Sequence, residues 1–275
     1  MTQPLTLPAV PSSTRSPQAP ALPAWTSRTL APPMPLAAPR TDPVTPPPGD
    51  FTYSNLSGRP SGSIVRALGT VVPGVRSIID DIAPFATWWE RRNREAITSG
   101  RPLWVVLGDS LSQGIGATAP DRGWVGHLAD DPPASLRGLE VVNLSFNGAR
   151  AIDVLERQLD VCEELRRHHD VARVTMLIGN NDLMKPAWCR ELPGTLQRLL
   201  DAVPHGTVVG RQPGMQRTAR LFNRIVEAAA NRRGLHVADF RIPHLRDFAG
   251  RLGRDFFHPN DRGYAQMAAA ARLTV

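Results

Sequence analysis

The chain has 275 residues, 41% of them apolar, which is enough for one folded domain with segments left over. Its two cysteines, Cys162 and Cys189, match neither a zinc-ligand spacing nor a disulfide framework. The formal net charge of +7 comes from the C-terminal part, where residues 204–275 hold twelve arginines against five acids.

Residues 1–60 are rich in Pro, Ala, Ser and Thr, with fourteen prolines in the first fifty positions. Such a stretch buries too little apolar surface to offset its ordering entropy, so a disordered tail is expected. The alternative is a docking segment for a proline-binding partner. No basic region followed by an apolar run opens the sequence, so no secretory signal is evident and a cytoplasmic location is expected.

Residues 61–99 read as an amphipathic helical arm. Ile64, Leu68, Val71, Val75, Ile78, Ile82, Phe85 and Trp89 follow steps of four and three, which places them on one helical face. Pro73-Gly74 interrupts the stripe and predicts two helices, and Pro84 predicts a kink. Asp80, Asp81 and Glu90 on the polar face favour packing on the main domain over a peripheral membrane contact or a lid. No run approaches 18 apolar residues, so no transmembrane segment is expected.

Residues 100–275 alternate short apolar runs with helical patterns. The runs are 103–107, 141–144, 174–178, 207–209 and 235–238. Helical segments fall near 122–130, 150–168, 187–203 and 215–233, and a last one follows Asn260. This alternation predicts an α/β fold: a three-layer α/β/α, flavodoxin-like, doubly wound parallel sheet of about five strands. Ligands bind such sheets at the carboxyl ends of the strands.

Four polar blocks occupy those ends. Gly108-Asp109-Ser110-Leu111-Ser112 follows the first strand, and Asn147-Gly148 the second. Gly179-Asn180-Asn181-Asp182 follows the third. Asp255-Phe256-Phe257-His258 lies on a longer loop after the fifth. Together they offer a hydroxyl, a backbone donor, a side-chain amide and a carboxylate–imidazole pair. A serine hydroxyl needs a base to become nucleophilic, an imidazole serves near neutral pH, and a carboxylate fixes its tautomer. The oxyanion formed in acyl transfer needs preorganised donors, and losing one costs about 100- to 1000-fold in rate.

These blocks, in this order, resemble the SGNH hydrolase family, also called GDSL esterases and lipases, over residues 103–275. The resemblance implies a triad of Ser110, His258 and Asp255. It implies an oxyanion hole built from the Ser110 and Gly148 N–H groups and the Asn181 amide. It implies no metal or organic cofactor, and a small-molecule, lipid or carbohydrate ester as substrate. The activity implied is serine-dependent ester hydrolysis. Acyl transfer or deacetylation through the same acyl-enzyme, and a catalytically silent binding module, stand as alternatives.

Other readings are weaker. Gly114-Ile115-Gly116-Ala117-Thr118-Ala119 fits a dinucleotide-binding pattern but begins seven residues after the strand, and the second strand ends without an acid for a ribose. Position 112 is Ser, which excludes the G-x-S-x-G elbow of α/β-hydrolases. The whole chain has one lysine, Lys185, and a coding bias toward arginine would explain its basicity without any function, so nucleic acid is not expected as a partner. Arg217, Arg220 and Arg224 are expected on one face of the 215–233 helix, with Leu221, Phe222, Ile225 and Ala229 packed on the sheet. Arg251 and Arg254, just before Asp255, suggest a positive field beside the cleft. Asp109 is expected to bond backbone near the nucleophile turn. Met184, Trp188, Phe256 and Phe257 flank the blocks as candidates for an acyl pocket.

Overall fold

Every residue of β1 (Leu103–Gly108) is buried, as befits the centre of a parallel sheet covered on both faces. The computed structural model describes residues 51–59, 73–212, 217–240 and 249–275. The other strands are β2 (Glu140–Asn143), β3 (Val171–Leu177), β4 (Val208–Arg211) and β5 (His236–Asp239). All pairings are parallel, in the order β2-β1-β3-β4-β5. The expected doubly wound α/β sheet is therefore present. Its strand order reverses between β1 and β3, which opens a crevice at their carboxyl ends.

Alternation along β1 divides the core. Leu103, Val105 and Leu107 belong to one cluster, and Trp104 and Val106 to another across the sheet. The first cluster is covered by α4 (Ala151–Asp153), a π-helical turn (Val154–Gln158) and α5 (Leu159–His168), together with α6 (Pro186–Ala202) and α7 (Arg217–Arg233). The second is covered by α3 (Trp124–Asp130) and α8 (Asp261–Ala271). A short helix, α2 (Ser110–Gln113), follows β1 directly.

The arm is built into the domain. Helix α1 (Pro73–Thr98) starts at the expected proline break and runs on through Pro84 on its exposed face. It buries Ile78, Phe85, Trp89 and Ile97. Burying one such aliphatic or phenyl side chain contributes ~1.5–3 kcal/mol, so α1 is part of the core. The first half of the expected stripe, including Ile64, Leu68 and Val71, lies outside the described residues. No helix among the described residues is long and apolar enough to cross a membrane.

Two expectations need correction. The tail was expected to be disordered through residue 60, but residues 51–59 pack on the domain, and residues 1–50 lie outside the described residues. Phe51 and Tyr53 sit against the core, and Asn55 is fully buried. Polar side chains anchor this stretch, which is why apolar patterning missed it. The second correction is Leu221, expected on the sheet but 40% exposed. Helix α7 instead buries Ala219, Phe222, Asn223, Val226, Ala229 and Ala230. Asn223 joins that stripe because its amide bonds the Gln212 N–H at 2.8 Å and the Gln212 carbonyl at 3.1 Å. Arg217, Arg220 and Arg224 are exposed, as expected.

Candidate active site

The turn after β1 sets the first element. Gly108 has φ +156°, and a Cβ there would lie 2.5 Å from the Leu177 carbonyl oxygen and from Ser112 Oγ, so only glycine fits. Asp109 caps α2, its Oδ1 accepting from the Leu111 N–H at 3.0 Å. This is the backbone role expected of it. The cap leaves Ser110 as the first residue of α2, buried to 4% exposure.

His258 arrives from a loop that folds on itself. Gly253 N–H donates to the His258 carbonyl at 2.7 Å, and Asn260 N–H to the Arg251 carbonyl at 2.9 Å. Asn260 also caps α8 and donates its amide to the Gly250 and Leu252 carbonyls. Gly116 backs the loop: a Cβ there would lie 2.7 Å from His258 Cβ. The glycines of the dinucleotide-like pattern thus serve packing, with Gly114 closing α2 in the left-handed conformation.

The sheet brings Ser110, His258 and Asp255 into one hydrogen-bonded chain. His258 Nε2 lies 3.0 Å from Ser110 Oγ. His258 Nδ1 lies 2.6 Å from Asp255 Oδ2. With an ionised Asp255, Nδ1–H donates to the carboxylate and leaves Nε2 to accept from the serine hydroxyl. Asp255 Oδ1 accepts from the N–H groups of Phe257 and His258, at 3.0 Å each. Burial pushes the Asp255 carboxyl up, but the His258 bond and charge and these two backbone bonds outweigh it. The net effect holds Asp255 below its ordinary range.

The second and third blocks are joined to each other. Gly148 is exposed with φ +77°. Asn181 Nδ2 donates to the Ala149 carbonyl at 2.8 Å, tying the third block to the residue after that glycine. Next to it, buried Asp182 accepts from the Ala151 N–H at 3.0 Å at the start of α4. Burial raises Asp182 to about 6. Asp109 is raised to about 7, first by burial and then by the Asp182 charge. Its Oδ2 has no hydrogen-bond partner among the described residues.

A profile of the GDSL-like Lipase/Acylhydrolase family matches residues 106–266. The chain belongs to this family. A lipase/acylhydrolase from Enterococcus faecalis superposes with a TM-score of 0.50 at 19% identity, covering 62% of this chain and 93% of that one. A psychrotrophic esterase from Pseudoalteromonas sp. gives 0.49 at 19% identity, covering 61% and 93%. An acetyl-xylooligosaccharide esterase from Geobacillus, as an arginine-to-alanine variant, gives 0.45 at 20% identity, covering 62% and 91%. The first of these likenesses bears on the fold alone. No curated protein matches the chain.

Around this GDSL-like site, large apolar side chains face solvent. Met184 is 58% exposed, Phe256 79% and Phe257 45%. Phe256 is the one non-glycine with positive φ, +56°, among the described residues. Phe257 meets the His258 ring edge-on, with centroids 5.0 Å apart. Two cations sit over the Trp188 ring, the Arg150 guanidinium 4.7 Å and the Lys185 ammonium 4.2 Å from its centroid. Arg254 donates to Ser77 Oγ at 2.9 Å, joining the loop to α1 rather than standing free. Cys162 is buried, and burial pushes its thiol up to about 12, which fits a packing role.

Sequence reasoning missed Asn55 and Gln158. Asn55 Nδ2 donates to the Asn143 carbonyl at 2.8 Å and the Ser145 carbonyl at 2.7 Å. Its own carbonyl accepts from Gln113 Nε2 at 2.9 Å. It thereby joins the loop leading to Gly148 to the end of α2. Neither residue lies in a recognisable pattern.

Proposed function

We propose that this GDSL-like hydrolase is a serine-dependent carboxylic ester hydrolase working through an acyl-enzyme on Ser110. The observation that carries the proposal is the unbroken chain Ser110 Oγ–His258 Nε2, His258 Nδ1–Asp255 Oδ2, at 3.0 and 2.6 Å. Ser110 and His258 lie 148 residues apart in sequence.

In this reading Ser110 Oγ attacks the ester carbonyl as its proton passes to His258 Nε2. Asp255 stabilises the imidazolium and keeps Nε2 aimed at the serine. The Ser110 and Gly148 N–H groups and the Asn181 amide receive the oxyanion. His258 then protonates the departing alkoxide, and the acyl group remains on Oγ. A water molecule gives its proton to His258 and attacks the acyl carbon; the acyl–Oγ bond then breaks as His258 returns that proton to Ser110 Oγ, releasing the acid. The hydrogen bond from Asn181 to Ala149 supports the hole, because it fixes the amide beside Gly148.

Turnover of a short p-nitrophenyl ester tests the proposal. Wild type hydrolyses it, while Ser110→Ala and His258→Ala do not. Asp255→Ala loses less, because removing the acid of such a triad is the milder lesion. Activity of Ser110→Ala within tenfold of wild type would rule out the nucleophile.

A further inference from the structure

β1 and β2 part before the nucleophile turn. Their register ends at Val106 opposite Asn143, where the Leu144 N–H donates to the Val106 carbonyl at 2.8 Å. Backbone groups of alternate strand residues face the same neighbour, so Gly108 presents its N–H and C=O on the side that β2 has vacated. A side chain fills the gap. Gln158 Oε1 accepts from the Gly108 N–H, and Gln158 Nε2 donates to the Gly108 carbonyl, each at 2.8 Å. The carboxamide acts as one more peptide unit of β2.

Gln158 is fully buried and closes the π-helical turn Val154–Gln158. In that turn the Leu159 N–H reaches back to the Val154 carbonyl. The additional residue changes the face that this helix turns toward β1, and such turns recur at functional sites. What Gln158 holds is the pivot of the site. Gly108 is confined by the Leu177 carbonyl and Ser112, and Asp109 and Ser110 follow it directly.

We propose that Gln158 is a positioning residue for the nucleophile, fixing the Gly108 peptide and so the placement of Ser110 Oγ against His258 Nε2. This rests on the reading of Ser110 as nucleophile. Without the carboxamide, a buried N–H and C=O lose their partners, and the peptide is free to rotate toward others. Misplacement of a reacting group by about 1 Å costs on the order of 100-fold in rate. Binding of the ester does not depend on that peptide, so the loss falls on kcat.

The test compares Gln158→Met, of similar length without hydrogen bonding, with Gln158→Glu, which keeps an acceptor for the Gly108 N–H. kcat and KM for a p-nitrophenyl ester are measured beside the rate of Ser110 labelling by a fluorophosphonate and the thermal unfolding curve. Gln158→Met is expected to unfold cooperatively, with kcat and labelling rate reduced together by roughly 10- to 100-fold and KM within about threefold. Gln158→Glu falls between it and wild type. If Gln158→Met does not fold, Gln158→Glu carries the same comparison. A folded variant with wild-type kcat and labelling rate, or one altered in KM alone, overturns the inference. A wild-type protein that is not labelled defeats the nucleophile assignment instead.

Discussion

Asn55 Nδ2 donates to the carbonyl of Ser145 at 2.7 Å, across 90 positions of the chain. The same amide reaches Asn143, and Asn93 Nδ2 donates to Asn55 Oδ1 at 3.2 Å. The Asn55 N–H and Ser54 Oγ both bond Glu90 on α1. Nine residues beside a proline-rich tail thus lock α1, the end of β2 and α2 together.

Asn55→Ala strands the buried Ser145 carbonyl, at about 1–3 kcal/mol for a group left unsatisfied, while the Asn143 carbonyl keeps its bond from Asn93 Nδ2 at 2.8 Å. In a domain of this size, each kcal/mol lowers Tm by roughly 2–4 °C. A clear drop in Tm is therefore expected for Asn55→Ala and for deletion of residues 1–59, but not for deletion of residues 1–50. Calorimetry on the three proteins decides it. Equal Tm values for both deletions would show that residues 51–59 do not hold the domain.

The two buried carboxyls at the crevice give a pH signature. Asp109 is raised to about 7 and Asp182 to about 6, so between pH 4 and 7 the folded protein binds more protons at these sites than the unfolded chain. The unfolded state binds fewer, and these groups therefore subtract stability as pH rises through that window and level off above it. His169 and His236, lowered first by burial, act in the opposite sense, so a difference measurement is needed. Asp109→Asn keeps an acceptor for the Leu111 N–H and removes the ionisation. Its unfolding free energy relative to wild type, from urea melts, should grow between pH 4 and pH 7, at up to about 1.4 kcal/mol per pH unit. A difference independent of pH would contradict the buried, proton-binding state of Asp109.

Phe256 and Phe257 are adjacent but separable. Only Phe257 touches the imidazole, edge-on at 5.0 Å, and an aromatic contact of this kind contributes roughly 0.5–1.5 kcal/mol. If it steadies His258 through the reaction, Phe257→Ala lowers kcat by about 2- to 12-fold. Phe256→Ala leaves kcat for a short ester unchanged. Equal effects from both substitutions would assign the contact no part in holding the base.

The four blocks were legible because each carries its chemistry in adjacent residues and follows a strand whose apolar run is plain. Asp109 could be read as a cap for the same reason: its bond spans two residues. Gln158 and Asn55 could not, since their bonds reach across 50 to 90 positions to backbone groups, which carry no residue-type signal. Leu221 was misread because a stripe drawn through apolar residues misses a helix face centred on a bonded Asn223. The apolar spacing did place Phe85 and Trp89 correctly, since burial of large side chains is what that pattern reports.

A serine activated by His258 reacts with electrophilic phosphorus as it does with an ester carbonyl. Incubation with a fluorophosphonate, followed by intact-mass and peptide mass spectrometry, tests Ser110 for this reactivity without knowledge of the natural ester. One adduct per chain is expected, on Ser110, absent in Ser110→Ala and formed far more slowly in His258→Ala. A folded wild-type protein that takes no adduct, or takes it on another residue, would contradict the assignment of Ser110 as nucleophile.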